Sequence, residues 1–548
     1  MKANRIPVKE KSLLINNLPE FSRFFLDKIH FIFILSLLIF SFFFIRASQF
    51  GYFTDEYEQL TAGWFISEGM IPYTDFFSHH APLPLLIGAL PFIFPFAETS
   101  ILTQRMIVLS LLLVFWVTIF YFSERKWRII TSVFAILSGS MIPVFNLQMH
   151  LANTYSTFAL IGVLLIIFQY LDSNKTIQFS KICLILILGN FAFWSNISSV
   201  LGFLGLLILL VVEQKKQFLE LIKTHSIKVL SIIGLSVIFP IFFIIKNSFT
   251  EFWWSVFTYN TKYYFPYRLA ENDTERTYGP LFRQINQFFS TFIETYLLFL
   301  ERSRVFIQSI LGSRTLLFDA SFQQTSKYFQ IIFEQYFSFL FSFETILVLL
   351  PTMTFLLLLF NKQLKLSITL FFLTAMFWFR DNEVFHFGII FFLSYIFLLQ
   401  FIFQKFDQRK KSQLLLAIIT ILLSTIPLVG MRQRFFYEKR PTIDPAIVLS
   451  ANEMKKLSNV EDHILIIDED IIGYYIAQRL PSSPYYFSYP WTVQVDEIEN
   501  DILMNISARK AKIVKLDTQL SHQFPKLEEE LLLHYTKSEH SLELFIRN

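Results

Sequence analysis

Apolar runs of membrane-helix type recur along this chain, with basic clusters at alternate junctions between them. They fall at about 29–46, 106–122, 129–147, 154–171, 182–195, 199–212, 229–246, 339–360, 366–380, 385–404 and 413–430. A helix of about 20 residues crosses a hydrocarbon core about 30 Å thick. The pattern predicts a mainly α, polytopic membrane protein with about eleven transmembrane helices. One further run, 83–97, is shorter and holds Pro84, Pro91 and Pro95, with Pro82 just before it. It reads as interfacial or re-entrant, because a crossing there would put the Glu124-Arg125-Lys126-Trp127-Arg128 cluster outside.

Charge orients the spans. Residues 1–28 carry Lys2, Arg5, Lys9, Lys11, Arg23 and Lys28 against three acids, which places this tail in the cytoplasm. Residues 47–103 then form an external loop. Lys175, Lys181, Lys215, Lys216, Lys223, Lys228, Lys362, Lys365, Lys405, Arg409, Lys410 and Lys411 fall inside. His150 and Asn153 lie at one outer mouth, and Arg380, Asp381, Glu383 and His386 at another. Residues 247–337 are a long external or interfacial segment rich in Trp and Tyr, as chain at a membrane surface is.

From about 432 the composition turns polar and the period changes. HILIID (463–468), KIVKL (512–516) and SLELFIR (541–547) read as strands, whereas 468–480 and 495–510 have helical spacing. This predicts a small C-terminal extracytoplasmic α/β domain over 432–548, after a transmembrane domain at 29–431.

Composition sharpens the class. The chain is 54% hydrophobic and only 16% charged, with mean hydropathy +0.49, where soluble domains carry about 25% charged residues. The single Cys183 lies in an apolar run, which excludes an intramolecular disulfide framework and a Cys-based metal site. The first apolar run lacks a small-residue cleavage site and reads as an uncleaved span. No P-loop, GxGxxG or internal repeat is present, and the expected partner is the lipid bilayer, with no nucleic acid.

Candidate chemistry concentrates in residues 51–85. This stretch holds Asp55, Glu56, Glu58, Glu68 and Asp75, then His79 and His80, and no Lys or Arg. Acids after a span are common on solvated loops. Here they alternate with Tyr52, Phe53, Tyr57, Trp64, Phe65, Tyr73, Phe76 and Phe77, as in a folded element pressed on the membrane. A partly desolvated carboxylate gains basicity and can serve as a general base. Adjacent histidines do not share a helix face, and no HxH or HxxxH spacing is present, so spacing supports no metal site. A loop histidine and a phosphate-contacting one are equally compatible with the pattern. Arg105 opens a span, where snorkelling alone would explain it. Arg380 and His386 sit where charges between spans mark substrate pathways.

Three elements together resemble the GT-C superfamily of membrane glycosyltransferases, in its bacterial protein O-mannosyltransferase and aminoarabinose transferase branch. The first is Asp55-Glu56 just after the first span. The second is Gly69-Met70-Ile71-Pro72-Tyr73-Thr74-Asp75-Phe76. The third is His79-His80-Ala81-Pro82-Leu83, which departs from the family's HPP. The proline-rich run resembles the family's juxtamembrane helix, Arg105 the Arg that often opens its second span, and 466–487 a run in its external domain.

The resemblance implies transfer of a monosaccharide from a polyprenyl-phosphate donor to a hydroxyl of a protein, lipid or glycan acceptor. The transfer would take place on the outer face of the cell's inner (plasma) membrane, with inversion. It implies Asp55 as base and Glu56 in support. Asp75, His79, His80, Arg105, Arg380 and His386 would contact substrate. The resemblance fixes no cofactor and leaves a divalent cation open. A transporter or flippase of lipid-linked sugars and a non-catalytic envelope assembly protein are the competing classes. Inverted repeats with broken helices would mark the transporter, and loss of Asp55 the assembly protein.

Overall fold

The computed structural model describes residues 29–49, 53–93, 100–143, 145–170, 177–264, 354–360, 363–370, 391–398, 442–469, 471–488, 495–517, 525–538 and 543–548, with 51, 266 and 492 singly. The predicted sites Arg380 and His386, with Asp381 and Glu383, lie outside them, as does most of 247–337.

The described residues are mostly helical, with one small sheet. The helices are α1 (Ile29–Ser48), α2 (Thr54–Ser67), α3 (Pro82–Ile93), α4 (Ile101–Phe122), α5 (Arg125–Met141), α6 (Ala152–Phe168), α7 (Phe179–Ser195) and α8 (Ser199–Thr224). Next comes α9 (Ser226–Ile245), interrupted by a 3-10 turn at Leu235–Val237, and then α10 (Phe249–Trp253), which continues as a π-helix over Trp254–Tyr264. Of these, α1, α4 and α9 are long and apolar enough to cross a membrane, and α3, α6 and α7 are shorter apolar helices. The outward faces of α1 and α9 carry exposed Phe31, Leu38, Phe42, Ile227, Leu230 and Ile245. Large apolar side chains displayed in such numbers suit lipid rather than water. The apolar run predicted to end at 212 continues as α8 to Thr224, bending at Gln214, because EQKKQFLELIK is made largely of good helix formers.

The residues expected in the external loop are themselves folded. Ten consecutive residues of α2, Glu56 to Phe65, are buried. The helix ends where Gly69 takes φ +91°, a left-handed turn that favours glycine, and Met70 N–H closes on Phe65 O at 3.0 Å. Helix α3 lies against α2 backbone to backbone. A Cβ on Gly63 would fall 2.2 Å from the Gly88 carbonyl, and one on Gly88 would fall 2.4 Å from Gln59 O. Gln104 Nε2 donates to Gly88 O at 3.1 Å, tying the pair to α4. Gly88→Ala is therefore expected to lower stability by about 1–3 kcal/mol, the usual cost of overpacking, seen as a lower unfolding midpoint in detergent. An unchanged midpoint would mean that the two helices are free to separate.

Residues 445–547 hold the sheet. Asp444 caps α11 (Pro445–Lys456) through Oδ1, which accepts from Ala446 N at 2.8 Å, with Pro445 at the first helical position. Strand β1 (Ile464–Ile467), α12 (Ile472–Ala477), α13 (Asp496–Ser507), β2 (Ile513–Leu516), α14 (Pro525–His534), β3 (Tyr535–Lys537) and β4 (Leu544–Arg547) follow. The sheet order is β1-β2-β4-β3, with β1 and β2 parallel and the other pairings antiparallel. Parallel neighbours need a helical crossover, and both strands are wholly buried, as strands covered on two faces are. Helices α11 and α14 and strand β3 lie beyond the sequence expectation, which had marked β1, β2, β4 and the two intervening helices.

The sheet unit docks on the loop through aromatic rings. Phe65 meets Tyr474 at 5.8 Å and Tyr486 at 5.1 Å, and Phe77 meets Tyr485 at 5.5 Å and Phe487 at 5.6 Å between centroids. Phe77 N donates to Pro484 O at 2.8 Å, and Thr61 Oγ1 to Ile471 O at 3.3 Å. The YYIAQRLPSSPYYF run thus has a packing role: its rings form the seam with residues 61–77.

Candidate functional site at the N-terminus of helix α2

The acid pair opens α2, and the fold gives its two members different surroundings. Glu56 is fully buried. Arg105 Nε donates to its Oε1 at 2.9 Å and Arg105 Nη2 to its Oε2 at 2.5 Å, a two-pronged carboxylate clasp. The same guanidinium donates to Ser48 O and Gly51 O, each at 2.8 Å. His150 N donates to Glu56 Oε1 at 3.0 Å. The cluster therefore ties the end of α1, the start of α2, the first turn of α4 and the loop before α6 into one knot. Arg105 was expected to face a phosphate. Instead it is 0% exposed and directed at Glu56 and two carbonyls.

Asp55, in the same first turn, is half-buried rather than sealed. A carboxylate in a helix's first turn also complements the macrodipole. What distinguishes it from Glu56 is burial: Glu56 is fully enclosed, and Asp55 is only partly so.

His150, behind the clasp, is a structural group. Its Nε2 lies 3.0 Å from Pro84 O, and its Nδ1 lies 2.5 Å from Tyr155 Oη. A carbonyl only accepts, so Nε2 carries the proton and Nδ1 accepts from the tyrosine. Burial pushes the imidazole down to about 4, against a smaller upward pull from the Pro84 carbonyl. The ring is therefore neutral in the folded protein near neutral pH. Between pH 6.5 and about 4 the unfolded chain binds the extra proton, so stability falls as pH falls through that window. At pH 4 the loss is about 3 kcal/mol by linkage. Unfolding midpoints of wild type and His150→Gln, compared at pH 7 and pH 4.5, check this: the variant should lose less on acidification.

Asp75 is exposed and closes a turn, its Oδ2 accepting from Ile71 N at 2.7 Å. Tyr73 in that turn has φ 71°, a strained value for a bulky residue. Its hydroxyl donates to His80 O at 2.8 Å.

His79 and His80 follow in irregular chain outside any helix, where adjacent side chains escape the helical constraint. Their ring centroids lie 4.2 Å apart, with the planes tilted by 33°. Both approach Glu58, one turn beyond Asp55 on α2. His80 Nε2 lies 3.2 Å from Glu58 Oε2, and Ser78 Oγ donates to Glu58 Oε1 at 2.7 Å. Burial raises the Glu58 carboxyl, but His80, His79 and the Ser78 hydroxyl outweigh it and hold the group below the ordinary carboxylate range. Ligand atoms of Glu58, His79 and His80 all fall within 4.8 Å of one another. Chain spacing gave no metal motif because the third member is supplied by another element. Glu58 stood in the sequence as one acid of five, and nothing local distinguishes it. The π-helix adds Asn260, whose Nδ2 donates to His79 O at 2.8 Å. Long π-helical stretches are rare and gather at functional sites.

The predicted residues thus sort into an Asp55–Glu56–Arg105 group, a Glu58–His79–His80 group and the turn residue Asp75. Comparison with protein-family models, curated proteins and solved structures returns no match.

Proposed function

We propose that this chain is an integral-membrane glycosyltransferase. It moves a monosaccharide from a polyprenyl-phosphate donor to an acceptor hydroxyl on the outer face of the membrane, with inversion. The observation that carries the reading is the division of labour at the start of α2. Glu56 is locked into Arg105, whereas Asp55 stays accessible at the end of span α1.

In this mechanism Asp55 takes the proton of the acceptor hydroxyl as that oxygen attacks the anomeric carbon. The bond from that carbon to the phosphate oxygen breaks, and polyprenyl phosphate departs. One positioned base is enough for an inverting displacement, and the paired carboxylates of hydrolases are not required. Glu56 acts as a positioning residue that holds the turn bearing Asp55. Phosphate contact falls to Arg380 and His386, and fixed positive charge in a low-dielectric site stabilises such a leaving group. The remaining plan belongs to the same proposal: about eleven spans, a cytoplasmic N-terminus and an extracytoplasmic C-terminal domain.

The test is transfer of labelled sugar from polyprenyl-phosphate donors in membranes containing the full chain, against membranes lacking it. Chain-dependent label on a protein, lipid or glycan supports the reading; no transfer from any such donor ends it. A reporter fused after Lys126 should read as cytoplasmic, and an external signal would reverse the topology.

A further inference from the structure

We propose that Glu58, His79 and His80 form a binding site for one divalent transition-metal ion of the zinc class, with a coordination position left open. The site does not rest on glycosyl transfer, because metal is measured without any substrate.

The donor set fits. One carboxylate and two imidazoles are a recognised zinc combination, and three protein ligands leave a fourth position for water or an oxyanion. The spacing fits as well. With metal–ligand bonds near 2.0–2.1 Å, two ligands of a tetrahedral ion stand about 3.3 Å apart. Glu58 Oε2 and His80 Nε2 are 3.2 Å apart. A charge-assisted N–H···O bond is shorter, at about 2.7–2.9 Å. The carboxylate is fully buried, and the only ligand atoms gathered with it are those of the two imidazoles, among the described residues.

The ligands are also held in place. Ser78 donates to Oε1 of Glu58 and leaves Oε2 to face the imidazoles. The His79 carbonyl accepts from Asn260 and the His80 carbonyl from Tyr73. Phe77, just before, is pinned to Pro484. Fixed supporting groups of this kind typically contribute 10–100-fold to metal affinity. The metal would therefore join α2, the 77–81 segment and the π-helix at one point. Residues three apart on a helix stand about 5–6 Å apart at Cβ, so Glu58 lies within a turn of Asp55.

The experiment uses full-length protein purified in detergent without a histidine tag. Metal content is measured by mass spectrometry, and chelated protein is then titrated with Co(II). The expected result is near-stoichiometric zinc-class metal and the visible absorption of low-coordinate Co(II). Glu58→Gln, which keeps the volume and the Ser78 contact, and His79→Gln, at a partly exposed position, should each weaken Co(II) binding by more than about 100-fold. Metal-free wild type with no Co(II) spectrum would overturn the site and leave a Glu58–His80 ion pair. Unchanged binding in both variants would also overturn it. If either variant fails to fold, the Co(II) titration of wild type decides alone. Transfer by protein that binds no metal would refute only the metal site, and metal without transfer would refute only the glycosyltransferase proposal.

Discussion

Asp55→Asn is expected to lower sugar transfer by about 10²–10⁴-fold, the usual contribution of a positioned general base, while leaving the unfolding midpoint nearly unchanged. The asparagine has the same shape and keeps a polar group in the first turn of α2. The change removes the macrodipole interaction of the acid, about 0.3–1 kcal/mol at an accessible site. The rate is to be measured with donor and acceptor saturating, so that the loss appears in kcat. Full activity in Asp55→Asn would sink the assignment of this residue as base.

The neighbouring position should behave in the opposite way. Glu56→Gln and Arg105→Met each leave one buried charge without its partner, and each is expected to cost about 3–5 kcal/mol of stability. Glu56 accepts from Arg105 and from the His150 backbone, and Arg105 also donates to Ser48 O and Gly51 O. Four chain segments therefore loosen together. Unfolding in detergent and hydrogen exchange over residues 48–56 measure the effect. The double variant should lose less than the sum of the singles, because it strands no charge. Activity in these variants should track the folded fraction. A Glu56→Gln protein as stable as wild type would show that the clasp contributes nothing to holding the loop. Adjacent residues with one kind of side chain are thus predicted to fail differently, one in rate and one in folding.

Much of this was legible along the chain. Apolar runs marked α1, α4 to α7, the first part of α8 and α9, because a helix surrounded by lipid or by other apolar helices needs a long uncharged stretch. Alternation and β-branching marked β1, β2 and β4. The mixture of acids and rings in 51–85 marked a folded loop rather than a solvated one, and α2 is buried over most of its length. The roles inside that loop were not legible. Asp55 and Glu56 read alike as adjacent acids, and Arg105 read as a free interfacial cation. Only the approach of α4 to the end of α1 shows where the guanidinium goes. Glu58 carried no signal, since its partners lie on a later segment.

The sequence by itself marked the apolar helices, the strands β1, β2 and β4, and the acid-, ring- and histidine-rich segment 51–85 as a folded element. These follow from local composition and period, which report how each stretch meets lipid, water or its immediate neighbours. The tertiary structure decided which acid is clasped, which stays accessible and which meets two histidines. Those contacts join residues 49 apart in Glu56–Arg105, 20 apart in Glu58–Ser78 and 410 apart in Thr61–Ile471. Pairings across such separations are set by how helices and sheet pack, and no local pattern encodes them.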